Sequence, residues 1–233
     1  MNYKYELHLH TSESSKCGRV AAADMVKVYK DLGYTGIFVT DHFLNGNTTV
    51  PKDLPWKDRV DAFFAGYDNA LAEGKKIGID VFYGWEYCFG GTDFLTYGLS
   101  KQWLYDHPEC VEISPKEYCK LVHESGGFIV HAHPFRESAN AYSIDMIRLM
   151  PRDVDAVESF NSNMSDFQND FASYYAKAYG LKELCGSDNH RGASAKRFAS
   201  VCFNHRLADE KDFIECVKNG EYTCSHTEPL EEK

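Results

Sequence analysis

Gly126-Gly127-Phe128-Ile129-Val130-His131-Ala132-His133-Pro134 is the stretch on which the fold turns. Two glycines stop a helix, an apolar run follows as a buried strand, and a histidine pair opens where that run ends. The same grammar recurs along the chain. Gly36-Ile37-Phe38-Val39-Thr40 leads into Asp41-His42, Val81-Phe82-Tyr83-Gly84-Trp85 into Glu86, and Leu184-Cys185-Gly186 into Ser187-Asp188-Asn189-His190. His8-Leu9-His10 stands near the start. Six of the ten histidines, His8, His10, His42, His131, His133 and His190, fall in these clusters. Imidazole and carboxylate are ligands of Zn²⁺, Fe²⁺ and Mn²⁺, and the two ligands of an H-x-H pair point the same way along an extended segment. A single buried histidine is ordinarily a hydrogen-bonded core residue. Clusters at several strand ends are hard to assign to packing, because each would bury polar groups that need partners.

Between the strand-like runs lie helical stripes. Met25, Val28, Tyr29 and Leu32 repeat at helical spacing up to Gly33, and Val60, Phe63, Phe64, Tyr67 and Leu71 form a second stripe read as stopping at Gly74. Ser114-Pro115-Lys116-Glu117 is a helix start with a capping serine, a first-turn proline and a glutamate placed to reach back. Ser165 with Gln168 starts another, carrying Phe171, Tyr174, Tyr175 and Ala178 up to Gly180. Ala199 to Phe203 reads as a last strand, followed by a helix with Phe213, Ile214 and Val217, and the polar tail after Gly220 is expected to pack loosely. Alternating β and α elements predict a parallel sheet, and ligands recurring at strand ends favour closure into a barrel, which gathers those ends in one mouth. An open doubly wound sheet would spread them along a line.

Composition bounds the function. At 233 residues with 43% hydrophobic content the chain suits one domain, 1–233, built as a single α/β barrel. Lys+Arg is 25 against Asp+Glu at 35, a net −10 that disfavours long nucleic acid and anionic membranes as partners. None of the eight cysteines, at 17, 88, 110, 119, 185, 202, 216 and 224, pairs at C-x-x-C spacing, so a zinc finger is disfavoured. Met1-Asn2-Tyr3-Lys4-Tyr5-Glu6 lacks a signal-peptide core and no apolar stretch approaches ~18 residues. A soluble, cytoplasmic protein with reduced thiols is the expectation.

His8-Leu9-His10-Thr11, Thr40-Asp41-His42, Glu86, Ala132-His133-Pro134 and Gly186-Ser187-Asp188 with His190 resemble, in order and spacing, the successive motifs of the PHP (polymerase and histidinol phosphatase) family. The match spans positions 8 to 190. The resemblance implies a distorted (β/α)7 TIM-like barrel, two or three divalent metal ions and metal-dependent phosphoesterase chemistry. It implies that His8, His10, Glu86 and Asp188 hold one metal, that Glu86 bridges to a second bound by His133, and that His42 and His190 serve a third.

Two positions depart from the family pattern. Cys17-Gly18 stands where many members carry an aspartate or histidine before glycine, and Asp93 stands where a histidine often precedes a stretch like Phe94-Leu95-Thr96-Tyr97-Gly98. Asp93 can still bind a metal, with oxygen in place of nitrogen. Cys17 is open between a thiolate ligand of zinc or ferrous iron and a packed free thiol. Asp41 and His131 are candidates to orient ligands from behind. Glu158 and Asn161, after the Ala156-Val157 run, could line the mouth, with a solvated rim the preferred reading.

A water bridging two cations loses its proton near neutral pH, giving a hydroxide aimed at phosphorus while the metals neutralise the phosphate oxygens. Glu86, Asp188 and His190 are therefore the expected catalytic set. Arg19, Arg136 and Arg191 each neighbour a ligand motif and are candidate phosphate clamps, Arg191 above the others because it directly follows His190. The alternative for each is an ordinary surface arginine. Histidinol phosphate, a nucleotide, a nucleic-acid end or a sugar phosphate would all suit such a cluster. Two other readings compete: an amidohydrolase-type barrel, which also uses an early H-x-H and a late aspartate, and a non-catalytic metal-binding regulatory module.

Overall fold

The computed structural model describes residues 3–137 and 147–228; the first two residues, the last five and 138–146 lie outside it, and with them parts of the 1–233 domain span and of the polar tail. The strands are β1 (Tyr3–Glu6), β2 (Gly36–Val39), β3 (Asp80–Phe89), β4 (Thr92–Tyr97), β5 (Phe128–Ala132), β6 (Ala156–Asn161), β7 (Lys182–Gly186), β8 (Ala199–Phe203) and β9 (Tyr222–His226). The helices are α1 (Ala22–Asp31), α2 (Trp56–Phe63), α3 (Ala65–Ile77), α4 (Lys101–Asp106), α5 (Pro115–Glu124), α6 (Asp166–Tyr179) and α7 (Glu210–Asn219). Among the described residues the strands form one sheet in the order β7-β6-β5-β4-β3-β2-β1-β8-β9.

The sheet is mixed, which corrects the all-parallel expectation. β1-β2-β3 and β5-β6-β7 are parallel runs, while β4 is antiparallel to both neighbours and β8 is antiparallel to β1 and β9. The cause is a two-residue hairpin. Gly90 and Gly91, at φ 55° and 89°, join β3 to β4, and a turn with both central residues at positive φ matches the twist of the flanking strands. A Gly-Gly pair between two strand-like runs is the signal that would have predicted it.

The sheet curls into a nearly closed barrel. At the mouth the chain beyond β1 meets the chain beyond β7 in a parallel bridge between Leu9 and Asn189, with His10 N–H donating to the Asn189 carbonyl at 3.0 Å. Glu6 fastens the same seam: Oε1 accepts from the His8 N–H at 2.9 Å and the Ser187 N–H at 2.8 Å, and Oε2 accepts from Tyr29 Oη at 2.9 Å and from Ser187 Oγ. Burial, set against these hydrogen bonds, pushes the Glu6 carboxyl up to about 7.

The core has two layers. Inside the barrel Tyr5, Phe38, Leu95, Tyr97, Phe128 and Val201 pack on Phe213 and Val217 of α7, which plugs the end opposite the mouth. Outside, Ile37 and Val39 pack against Met25, Val26 and Tyr29 of α1. Alternation along β2 therefore sends Phe38 inward and its neighbours outward. The reciprocal capping boxes at Ser114–Glu117 and Ser165–Gln168 form as the sequence predicts. The second stripe becomes two helices, and α3 runs through Gly74 to Ile77, ending at Gly78 with φ 73°. Gly74 is tolerated there because it packs on the β3 side, where a Cβ would come within 2.6 Å of Val81 Cγ2. The tail after Gly220 is not loose through its described part: Tyr222–His226 pairs with β8 as an edge strand.

Candidate metal centre

Each donor sits just past the end of a parallel strand, late in β3, or at the start of the antiparallel β4, and all of these points lie at the mouth of the barrel. His8 and His10 follow β1, His42 follows β2, Glu86 and Cys88 lie on β3, Asp93 on β4, His133 follows β5, and Asp188 and His190 follow β7. His133 and Asp188 have φ of 26° and 49°, a left-handed conformation that side chains other than glycine rarely take. Such backbone strain is held only where the surroundings over-determine it.

The donors form three overlapping groups, His8/His10/Asp188, His8/Glu86/His133 and His10/His42/Glu86. Glu86 is shared between two of them. Its Oε1 lies 3.0 Å from His133 Nε2 and 3.6 Å from His8 Nε2, while Oε2 lies 2.5 Å from His42 Nδ1 and 3.6 Å from His10 Nε2. Asp188 Oδ1 lies 3.2 Å from His10 Nε2, 3.5 Å from His8 Nε2 and 2.9 Å from His190 Nε2. The His10 and His190 rings stack at 4.2 Å. Asp93 Oδ2 stands further off, 3.9 Å from His133 Nε2, and is paired with Arg136 Nη2 at 3.2 Å.

Electrostatics follow from crowding. Burial opposes ionisation of Glu86, but the His42, His133 and His8 imidazoles outweigh it and hold the carboxyl well below its usual range. Asp188 is likewise held low, against burial, by His8, His10 and His190. His10 is driven the other way, kept neutral by burial and by His42 and His190. Burial pushes the Cys17 thiol up, but the neighbouring His190 and His42 imidazoles outweigh it and bring the thiol down to about 6.

These residues fit divalent cations. His190 Nδ1 is buried with no hydrogen-bond partner, and Glu86 Oε2 and Asp93 Oδ2, though close to His42 and Arg136, make no aligned hydrogen bond. The Nε2 atoms of His8 and His10 face one another at 3.1 Å, a contact that a shared cation between their lone pairs would satisfy.

Behind the donors, Asp41 anchors the loop after His10, accepting at Oδ1 from the Thr11 N–H and Ser15 Oγ, both at 2.6 Å, and at Oδ2 from Thr11 Oγ1 at 2.7 Å. It reaches the donors through Ser15, whose Oγ is 3.2 Å from His10 Nδ1 and 3.0 Å from the His42 backbone nitrogen. His131 stands apart: it stacks on Phe94 at 5.0 Å, and neither ring nitrogen has a hydrogen-bond partner. Glu158 and Asn161 are no solvated rim. They are 1% and 0% exposed, and Glu158 Oε1 lies 2.8 Å from His8 Nδ1. The sequence carries the relevant signal, an acid closing the Ala156-Val157 run as Glu86 closes its own. Cys88, 3.6 Å from His42 Nδ1 through Sγ, was likewise missed, because no motif contains it.

Two hollows meet over the cluster at Cys17 and His190. One, of about 440 Å³, is lined by Arg19, Asn163, Arg191, Ser194 and Lys196. The other, of about 380 Å³, is lined by His42, Cys88, Asp93 and Arg136. All three arginines singled out in the sequence thus face the mouth, Arg136 through its ion pair with Asp93.

No protein-family model matches the chain, and no curated protein matches it. Solved structures do. A two-domain protein from Bacteroides vulgatus containing a predicted PHP-like metal-dependent phosphoesterase superposes with a TM-score of 0.72 at 16% identity, over 97% of this chain. The match takes in 65% of that protein, so this chain spans less than two thirds of it. A Bifidobacterium adolescentis protein given as a metal-dependent phosphoesterase matches at TM-score 0.56 and 16% identity, over 91% of this chain and 94% of the other. An amidohydrolase from Chromobacterium violaceum, with bound sulfate and no metal, matches at TM-score 0.50 and 13% identity, over 82% and 89%. The barrel is therefore the fold that these PHP-like and amidohydrolase proteins share. Among the described residues no helix is long and apolar enough to cross a membrane.

Proposed function

We propose that this chain is a metal-dependent hydrolase of small phosphomonoesters or phosphodiesters, with two or three Zn²⁺, Mn²⁺ or Fe²⁺ ions held in the mouth. The observation that carries the reading is Glu86, whose two oxygens face different imidazole pairs, His133 and His8 on one side and His42 and His10 on the other. A carboxylate divided in this way suits a bridge between adjacent cations. Bound there, the metals supply Lewis acidity and lower the pKa of water.

The chain's own residues do the rest. His8, His10 and Asp188 would hold one ion, His133 with Asp93 a second, and His42 and His190 with Cys17 a third, with Glu86 shared between them. Arg191 and Arg19 line the larger hollow, where guanidinium groups can receive phosphate oxygens in a bidentate way. Arg136, tied to Asp93, positions that carboxylate as well as facing the substrate. Asp188 Oδ1, 2.9 Å from His190 Nε2, orients that ring and leaves Nδ1 as its free nitrogen. The net charge of −10 leaves these arginines as a local attraction for a small anion, with no broad footprint for long nucleic acid.

Metal-loaded protein should hydrolyse p-nitrophenyl phosphate or its diester analogue, with inorganic phosphate competing and acyl substrates inert. Turnover of amides with none of phosphoesters would transfer the site to the amidohydrolase reading. Elemental analysis after reconstitution should find two or three ions per chain, and less than one equivalent would remove the metal centre.

A further inference from the structure

Glu158 lies beneath the donors and touches two of them with different oxygens. Oε1 is 2.8 Å from His8 Nδ1. Oε2 accepts from the backbone N–H of His133 at 3.0 Å and from Asn161 Nδ2 at 2.8 Å. Asn161 cannot be turned round, because its Oδ1 accepts from the Asn163 N–H at 2.9 Å. The fit is tight: a Cβ on Gly186 would come within 2.3 Å of Glu158 Oε1 and 2.6 Å of His8 Cβ.

Two donors converge on Oε2, so that oxygen is committed as an acceptor. A carboxylate also accepts at Oε1, which requires the proton of a neutral His8 to sit on Nδ1. The Nε2 lone pair is then free to face His10 Nε2 at 3.1 Å, Asp188 Oδ1 at 3.5 Å and Glu86 Oε1 at 3.6 Å. We propose that Glu158 is a positioning residue that fixes the tautomer of His8 for metal binding and, through the His133 backbone, holds a donor of the adjacent ion in its left-handed turn. The inference rests on the reading of the mouth as a metal centre.

Its consequence inverts the usual order of severity. In Glu158→Gln the amide oxygen must occupy the Oε2 position, where the two donors meet, so the NH₂ group is turned on His8 Nδ1. His8 must then accept at Nδ1 and carry its proton on Nε2, leaving no lone pair for a cation. Glu158→Ala instead opens a polar pocket in which water can accept from Nδ1–H.

Zn²⁺ affinity, measured by competition with a chromophoric chelator, should fall on the order of 100-fold in E158Q and on the order of 10-fold in E158A. A purely packing role gives the reverse order, with the isosteric Gln close to wild type. A second measurement needs no variant: in the Zn²⁺-loaded protein with ¹⁵N-labelled histidine, His8 should show a protonated Nδ1 and a metal-shifted Nε2. Wild-type Zn²⁺ affinity in E158Q, or a metal-bound Nδ1 in the native protein, would overturn the inference alone. A native protein that binds no zinc would overturn the metal centre and the inference with it.

Discussion

At the closed end of the barrel Phe213 is wholly buried among Phe38, Tyr97, Phe128 and Phe203, an apolar plug beside which the Tyr97 hydroxyl is satisfied by the Leu7 carbonyl. At the mouth, equally buried, His8, His10, Glu86 and Asp188 crowd together with orphaned oxygens and nitrogens and two strained backbones. Both ends exclude water, but only one gains stability by it in the metal-free chain. Burial stabilises when the groups are apolar, and it charges several kcal/mol per ion when they are not, until a counter-charge arrives. The plug makes the fold and the mouth makes the site.

Truncating the plug tests the first half of that contrast. Phe213→Ala should cost about 3–5 kcal/mol. For a chain of this size that lowers Tm by roughly 2–4 °C per kcal/mol, and calorimetry should find the drop with and without metal. A drop of only a degree or two would mean that α7 is not the plug. Changing the mouth should do the opposite. Glu86→Gln should leave the metal-free Tm within a few degrees of wild type while lowering phosphoester turnover by at least ~100-fold, more than loss of a residue that merely orients a ligand. Near-normal turnover would refute the bridge.

Smaller effects mark the border of the site. Arg191→Ala should weaken competitive inhibition by phosphate on the order of 10-fold and leave metal content unchanged, since guanidinium contacts the anion and donates nothing to a cation. Unchanged inhibition would remove Arg191 from the substrate hollow.

The smallest effect lies on the outer surface, at His123, whose Nε2 is 2.9 Å from Asp155 Oδ2. This hydrogen bond raises the imidazole above its ordinary 6.5. A raised histidine stabilises fully below its unfolded value and loses that contribution as pH rises through the folded one. The pair is about one third exposed, so solvent screening keeps it under ~1 kcal/mol. His123→Gln should therefore lower stability slightly at pH 5.5 and not at pH 9, and an equal loss at both would exclude the charge.

The sequence was most legible where local chemistry and topology agree. His8, His10, His42, Glu86, His133, Asp188 and His190 converge because a strand end is readable from an apolar run and a barrel brings strand ends together. Glu158 escaped because its polar neighbours, Ser159 and Asn161, suggest exposure, and its partners His8 and His133 are 150 and 25 residues away in the chain. His131 misled for the converse reason. It shares a motif with His133, yet its ring ends up against Phe94, a neighbour only the β4-β5 pairing supplies. The hairpin at Gly90-Gly91 was visible as a turn signal, but the alternation of strands and helices around it outweighed two residues.

By itself the sequence determined the order of elements, the caps at Ser114 and Ser165, the donor types and the strand ends that carry them. These follow from periodicity, capping and ligand chemistry within a few residues of one another. Tertiary structure decided which oxygens of Glu86 face which imidazoles, how Asp41 reaches His10 only through Ser15, and that Glu158 is buried beneath His8. Those are matters of a few tenths of an ångström between residues far apart in the chain, and they are set by strand register and barrel closure, which a one-dimensional pattern does not encode.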